Sequence, residues 1–389
     1  MTDASKFDTK TRLVHAGRGS SYVGNSVNPP VYRASTFVFG SMAELEAALQ
    51  KPFRGNLYGR NGTPTTVAFE DAIVELEGAY GAIACSSGVA AIMGVFFGLL
   101  KSGDHVLIPD SVYDIVRRCS DRLLKKMNIE YEYYDPACGA SIEKLIKANT
   151  RLIYMEAPGS GTFDMQDIPA IVAVAKARGI HTAIDNTWAT PLYLKPLDLG
   201  VDAVIEAGTK YIVGHSDAML GVIATNEACF LPIRQAVQDM GACAGTEEVN
   251  LGLRGLRTIE VRLARHYESG LKVAEWFRAQ PSVKQVLHPA LRGAPGHDIW
   301  KRDFKGACGL FSVEFKPVPA AKINAMIDSL TLFKLGYSWG GFESLVLPAH
   351  PEKRQVAIWK GGPVVRFHIG LEATDDLISD LSQALKRLT

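Results

Sequence analysis

From about residue 64 the apolar positions of the chain follow two alternating periods. "TTVAFEDAIVELEG" carries apolar residues at helical spacing and ends in glycine. Short, nearly continuous apolar runs then recur: "GAIACSSG", "HVLIP", "IEYEYYD", "RLIYMEAP", "HTAIDNT" and "DAVIEAGT". Between them lie segments of helical period: Gly88 to Leu100, "DIVRRCSDRLLKKM", "SIEKLIKAN" and "DIPAIVAVAKARG". "LGVIAT" reads as a strand that closes the set. Strands alternating with helices predict an α/β fold with a mostly parallel sheet covered on both faces, which suits strands apolar throughout.

On either side of this block the pattern changes. "GLRGLRTIEVRLARHYESGLKVAEWFRAQ" reads as a long helix with arginines on one face. It leads to strand-like "VKQVLHP", "GLFSVEF", "LTLFKLG" and "VVRFHIG", with helical "AAKINAMIDSL" and "TDDLISDLSQALKRL" between them. A smaller α+β C-terminal domain is expected there. The first sixty residues are irregular: "NSVNPPVYRASTFVF" is turn-rich, and only "MAELEAALQ" reads as a short helix. Such an arm cannot bury itself alone and is expected to pack elsewhere on the protein or on a neighbouring subunit. The expected division is an arm at 1–60, a large domain at 61–256 and a C-terminal domain at 257–389.

Composition narrows the class. The 389 residues are 47% hydrophobic and 21% charged, a soluble globular balance, and the length calls for two domains. With 42 basic and 41 acidic residues and no dense basic cluster, nucleic acid is not an expected partner. "GVAAIMGVFFGLLKSGD" meets a charge too early to span a bilayer, so no membrane partner is expected. The six cysteines are not spaced as a metal clip; they read as buried thiols in a reducing compartment, with no metal. The N-terminus lacks an apolar core, so the expected location is cytoplasmic.

Candidate chemistry sits at strand ends, where open parallel sheets bind ligands. "CSSGVAA" places Ser87, Gly88 and Val89 where a strand gives way to a helix. Free N–H groups there would face an anion, although a tight turn needs no ligand. "AIDNTWATP" ends a strand on Asp185, whose carboxylate needs a partner: a protonated ring nitrogen or a hydrogen-bond network. "EAGTKYIVG" places Thr209 and Lys210 after another strand. A desolvated lysine can form a Schiff base; an ion-paired surface lysine is the plainer alternative. His215 reads first as structural. Together, a glycine turn, an aspartate about one hundred residues on and a lysine 25 residues later describe a pyridoxal 5'-phosphate (PLP) site.

The chain also resembles the Cys/Met-metabolism group of fold-type I PLP enzymes over nearly its whole length. The carrying segments are "YGRNGTPT", "SSGVAA", "VYDIVRR", "APGSGT", "IDNTWATP", "AGTKYIVGHSDAMLG", "RGLRTIEVRL", "HPAL", "YSWGGFESL" and "RFHIGLE". The resemblance implies an aspartate-aminotransferase-like fold in which Lys210 matches the Schiff-base lysine and Asp185 the partner of the pyridinium nitrogen. Tyr113 matches the tyrosine stacked on the ring, and Ser87, Gly88, Val89 and Thr209 fall in the phosphate cradle. Tyr58 and Arg60 match residues that reach a neighbouring subunit's site, Tyr58 also facing substrate. Arg366 matches the clamp on the substrate α-carboxylate, and Ser338 and Trp339 line the substrate pocket. Ala207 stands where many members have serine, Val89 where methionine is common, and Leu57 where an aromatic is frequent.

The implied protein is a homo-oligomer, a tetramer of two catalytic dimers, acting on a small amino-acid thioether. The "SWGG" form points to β-elimination of L-cystathionine to L-homocysteine, pyruvate and ammonia, with γ-elimination, γ-replacement and broad cysteine-conjugate β-lyase action as alternatives. A nicotinamide dehydrogenase would need a G-x-G-x-x-G turn, which "CSSGVAA" does not supply. A non-catalytic binding protein on the same fold is the reading from another class.

Overall fold

The structure is a computed structural model that describes residues 6–19 and 26–388. The chain begins with α1 (Thr9–His15) and α2 (Met42–Leu49), then enters α3 (Pro64–Glu77) and β1 (Gly81–Cys85). Next come α4 (Gly88–Leu99), β2 (His105–Pro109), α5 (Asp114–Cys119), β3 (Glu130–Tyr134), β4 (Thr150–Glu156), α6 (Ile168–Ala177), β5 (His181–Asp185), α7 (Thr190–Tyr193), β6 (Ala203–Glu206) and β7 (Gly221–Thr225). Then α8 (Glu227–Asp239), α9 (Thr246–Leu256) and α10 (Ile259–Arg278) lead to β8 (Val283–Leu287), α11 (His297–Asp303), β9 (Leu310–Phe315), α12 (Ala320–Asp328), β10 (Lys334–Leu335), β11 (Leu345–Ala349), β12 (Val364–His368) and α13 (Thr374–Leu385).

The first seven strands form one sheet in the order β1-β7-β6-β5-β4-β2-β3. Strand β7 runs antiparallel to both neighbours, and the other pairs are parallel. Alternate residues of one strand feed opposite cores. In β4, Ile153 and Met155 pack on one side with Phe69 and Ile73 of α3, while Leu152 and Tyr154 pack on the other with Phe96 of α4. Both faces are covered, which is why these strands are apolar without alternation. The carboxyl ends of β1, β2, β4, β5 and β6 therefore open on one edge, where the chain must leave the sheet.

The remaining strands form a five-stranded sheet, β10-β11-β12-β9-β8, mostly antiparallel. Its core gathers Phe277 of α10, Phe311, Val313 and Phe315 of β9, Val365 and Phe367 of β12, and Leu377 and Leu381 of α13. Period two then turns Arg366 away from that core, onto the face opposite Val365 and Phe367.

Several elements differ from the sequence expectations. "SIEKLIKAN" is not an α-helix; a 3₁₀ segment, Pro136–Leu145, kinked at Gly139 (φ 49°), fills most of it. The long arginine-bearing helix is two helices, since Thr258 leaves helical geometry (φ −118°, ψ 7°) between α9 and α10. "LTLFKLG" contributes only the two residues of β10. The N-terminal arm holds α1, which docks on its own chain: Leu13 is buried, and Arg12 bonds to Glu75 of α3 at 3.3 Å. Beyond it Val38 and Met42 stand exposed. Among the described residues no helix is long and apolar enough to cross a membrane, and no three metal-ligating side chains cluster.

Candidate active site

At the open edge of the large sheet, facing Arg366, lies a cavity of about 190 Å3. Its walls include Ser87, Gly88, Val89, Tyr113, Asp185, Thr209, Lys210, Ser338, Trp339 and Arg366, ten of the residues expected from sequence. They arrive from four strand ends, a helix start and two segments of the second sheet region. Tyr58 and Arg60 do not line it. Arg60 instead donates to the Gln238 carbonyl at 3.1 Å, and Tyr58 is exposed.

One end of the cavity is a helix start. Ser87 caps α4, its hydroxyl accepting from Ala90 N–H at 3.1 Å. The Gly88 and Val89 N–H groups belong to the first turn, where no intrahelical carbonyl can reach them. The turn is close-packed against neighbouring backbone. A Cβ on Gly88 would come within 2.7 Å of Ala207 Cβ, and one on Gly221 within 2.1 Å of the Ser87 carbonyl oxygen. The Thr209 hydroxyl lies between Leu220 N–H, from which it accepts at 2.9 Å, and the Leu220 carbonyl at 3.1 Å. Its proton is directed away from the cavity in this rotamer.

Asp185 ends β5, and its carboxylate accepts from the Thr187 hydroxyl at 2.5 Å and the Thr187 N–H at 3.0 Å. The same Thr187 oxygen accepts from Ala207 N–H at 2.8 Å, tying the aspartate to the segment that carries Lys210. Burial pushes the Asp185 carboxyl up, while Thr187 and the Lys210 charge pull it back. Its register partner on β4 is Glu156, which accepts from Tyr113 N–H at 2.8 Å. Burial, then the Asp185 charge, pushes Glu156 up to about 8. Burial and mutual repulsion thus resist a second negative charge on this pair of carboxyls. Sequence reading passed over Glu156, although it too ends an apolar strand in a carboxylate.

Lys210 Nζ donates to Ser338 Oγ at 2.5 Å and lies 5.4 Å from the centre of the Trp339 ring. Burial first, then the neighbouring Arg366 cation, lowers its pKa from 10.5 to about 8. Arg366 donates to the Ser338 carbonyl at 3.2 Å. Ser338 thus serves both, from a left-handed backbone (φ 84°) that costs about 1–3 kcal/mol outside glycine. Gly340, two residues on (φ 85°), is closely packed: a Cβ there would stand 3.0 Å from Lys210 Cα. His215 is exposed and does not line the cavity.

The donor set suits a phosphorylated aromatic aldehyde. Helix amides and Ser87 meet an anion, a carboxylate without a cationic side chain bonded to it meets a ring nitrogen, and a lysine of lowered pKa meets a carbonyl carbon. Arg366 is left for a second carboxylate. Comparison with known proteins gives the same picture. The family matching residues 10–386 is described as "Cys/Met metabolism PLP-dependent enzyme". The chain is 41% identical to cystathionine beta-lyase MetC of Escherichia coli, covering 97% of this chain and 98% of that protein. It is 39% identical to an L-alanine/L-glutamate racemase of Wolbachia pipientis, covering 97% and 96%. A solved cystathionine gamma synthase from Xanthomonas oryzae, in complex with aminoacrylate and cysteine, superposes with a TM-score of 0.88 at 31% identity, covering 98% of each chain.

Proposed function

The chain belongs to the Cys/Met metabolism PLP-dependent enzyme family, and from that premise we propose that it is a carbon–sulfur lyase that cleaves L-cystathionine by β-elimination. The products are L-homocysteine, pyruvate and ammonia, in the service of methionine biosynthesis in the cytoplasm. The observation that carries this reading is the cage around Lys210, whose amine lies between Ser338, Trp339 and Arg366. It holds the base beside the carboxylate clamp, where a substrate α-carbon would sit, with an indole filling the adjacent space.

Bound PLP, attached through Lys210, supplies an electron sink for the charge left at the substrate α-carbon. The chain's residues supply the rest. Ser87, Gly88, Val89 and Thr209 hold the phosphate, Thr209 after a hydroxyl rotation. Asp185 is the anion that keeps the ring nitrogen protonated, with Glu156 neutral beside it. Tyr113 covers the ring face. Arg366 takes the substrate carboxylate through its two-pronged guanidinium. Lys210 Nζ would take the substrate α-proton, and a pKa of about 8 suits that task near neutral pH. Lys210 or Tyr58 then gives a proton to the leaving sulfur.

Tyr58 and Arg60 act in a neighbouring subunit's site, in a tetramer of two catalytic dimers. Their position outside this chain's own cavity supports that assignment. Residues 61–256 form the cofactor-binding domain, 257–389 the C-terminal domain and 1–60 the arm.

A second reading is amino-acid racemisation, favoured by the name of the Wolbachia relative: α-proton removal with return to the other face needs the same lysine. γ-Elimination is the rival within the sulfur chemistry. Lys210→Ala separates the site from the fold. It should abolish keto-acid formation while leaving the circular dichroism and oligomer size unchanged, and full turnover by that variant would sink the assignment.

A further inference from the structure

Cys85 and Cys243 are 158 positions apart (243 − 85) yet face each other across an outer edge of the large sheet. Strand β1 is an edge strand. On its inner side Cys85 pairs with Gly221 of β7. On its outer side it makes an isolated antiparallel bridge to Cys243, in the connection between α8 and α9. The Ser86 N–H donates to the Ala242 carbonyl at 3.0 Å, joining the residue after one cysteine to the residue before the other. In antiparallel pairing that pattern marks a non-hydrogen-bonded pair, with Cα atoms roughly 4.5 Å apart and side chains at their closest. A disulfide needs a Cα separation of about 4.4–6.8 Å, so the backbone already has the required spacing.

The two thiols differ in access. Both are free, Cys243 exposed and Cys85 fully buried. The Cys85 sulfur makes a long contact of 3.9 Å with the Ile83 carbonyl, too weak to lock it. We propose that Cys85 and Cys243 form a reversible intramolecular disulfide, a redox-modification site at the base of the turn that leads into α4.

With a peroxide as oxidant the steps balance. The Cys243 thiolate attacks one peroxide oxygen, the O–O bond breaks, and hydroxide leaves, giving a sulfenic acid. The Cys85 sulfur then attacks the Cys243 sulfur; the S–S bond forms, the S–O bond breaks, and water departs with the Cys85 proton. Two thiols and one peroxide become one disulfide and two waters. Burial pushes the Cys85 thiol up, so the oxidant enters at the exposed Cys243 and Cys85 acts second. An external thiol reverses the reaction by exchange.

The placement gives the bond consequences. Cys85 is two residues from Ser87, the cap of α4, in a turn packed tightly against Gly221 and Ala207. The disulfide would tether that turn to the end of α8, where Gln238 holds Arg60. It would also close a long loop in the unfolded chain, which favours the folded oxidised protein.

The test treats the holoenzyme with stoichiometric hydrogen peroxide, alkylates free thiols and maps peptides by mass spectrometry without reduction. The expected result is one cross-link joining the Cys85 and Cys243 peptides, with titratable thiols falling from the sequence's six to four. The thermal midpoint should rise by about 2 °C or more, and dithiothreitol should reverse both effects. Cys243→Ser should lose the cross-link and the shift while keeping the turnover of the reduced protein. Recovery of Cys243 as sulfinic or sulfonic acid with Cys85 still alkylatable would overturn the proposal, as would Cys243 joined to a second chain. The readout is mass, so it does not depend on which reaction the site performs.

Discussion

Replacing Arg366 by glutamine should raise the pKa of the Lys210 amine, because the guanidinium is the second cause of its depression after burial. The parent depression runs from 10.5 to about 8. It corresponds to about 3 kcal/mol disfavouring the ammonium, and to a neutral fraction at pH 7 of about one in ten, roughly 300 times that of an ordinary lysine. Burial remains in the variant, so the rise must be smaller than the full shift: about half a unit to one unit. The neutral fraction at pH 7 then falls about three- to tenfold. The assay is competitive acetylation of the apoprotein across a pH series, with the Lys210 peptide quantified by mass spectrometry. Asp185→Asn is the opposite control, since the Asp185 charge holds the lysine pKa up and its loss should lower the midpoint further. A parent midpoint near the ordinary value, or a midpoint indifferent to Arg366→Gln, would refute the picture of a desolvated amine crowded by a cation.

Two further outcomes follow from the walls of the cavity. Gly88→Ala places a methyl group against Ala207 in the α4 turn, so PLP affinity, read by absorbance on titration, should fall at least about tenfold, one lost hydrogen bond's worth for a charged partner; unchanged affinity would remove the turn from the phosphate site. Glu156 should shape stability against pH, because its folded value of about 8 lies above its ordinary 4.5. The native state then binds more protons than the unfolded chain between those values, and stability falls as pH rises through that window. Glu156→Gln removes the effect, so its urea midpoint should gain on the parent from pH 5 to pH 8, and a constant difference would contradict the burial argument.

Much of this site was legible in the sequence because strand ends are. A carboxylate closing "HTAID", a lysine four residues after "AVIE" and small residues between "GAIAC" and a helix are local signals, and the sheet gathers them at one edge. Arg366 was singled out by the family resemblance; alternation in "VVRFH" alone, with Val365 and Phe367 turned to the core, reads equally as a strand with one exposed arginine. What stayed hidden is non-local or locally contradictory. The Lys210–Ser338 contact spans 128 residues, and no period announces it. Helix α8 contains Pro232, whose ring ordinarily argues against a helix interior. Strand β11 includes Pro348, which suppresses a strand reading in the same way. The docking of α1 rests on Leu13 and one arginine, too little apolar surface to show as a pattern. Glu156 is the instructive omission: the signal that identified Asp185 was present one strand earlier, and the register of β4 and β5 makes the two a pair.

The central claim is carbon–sulfur β-elimination, and the keto acid formed from L-cystathionine tests it most directly. Purified holoenzyme should yield pyruvate and homocysteine in equal amounts, with ammonia. Formation of 2-oxobutyrate and cysteine, or an inverted amino acid with the thioether intact, would contradict it.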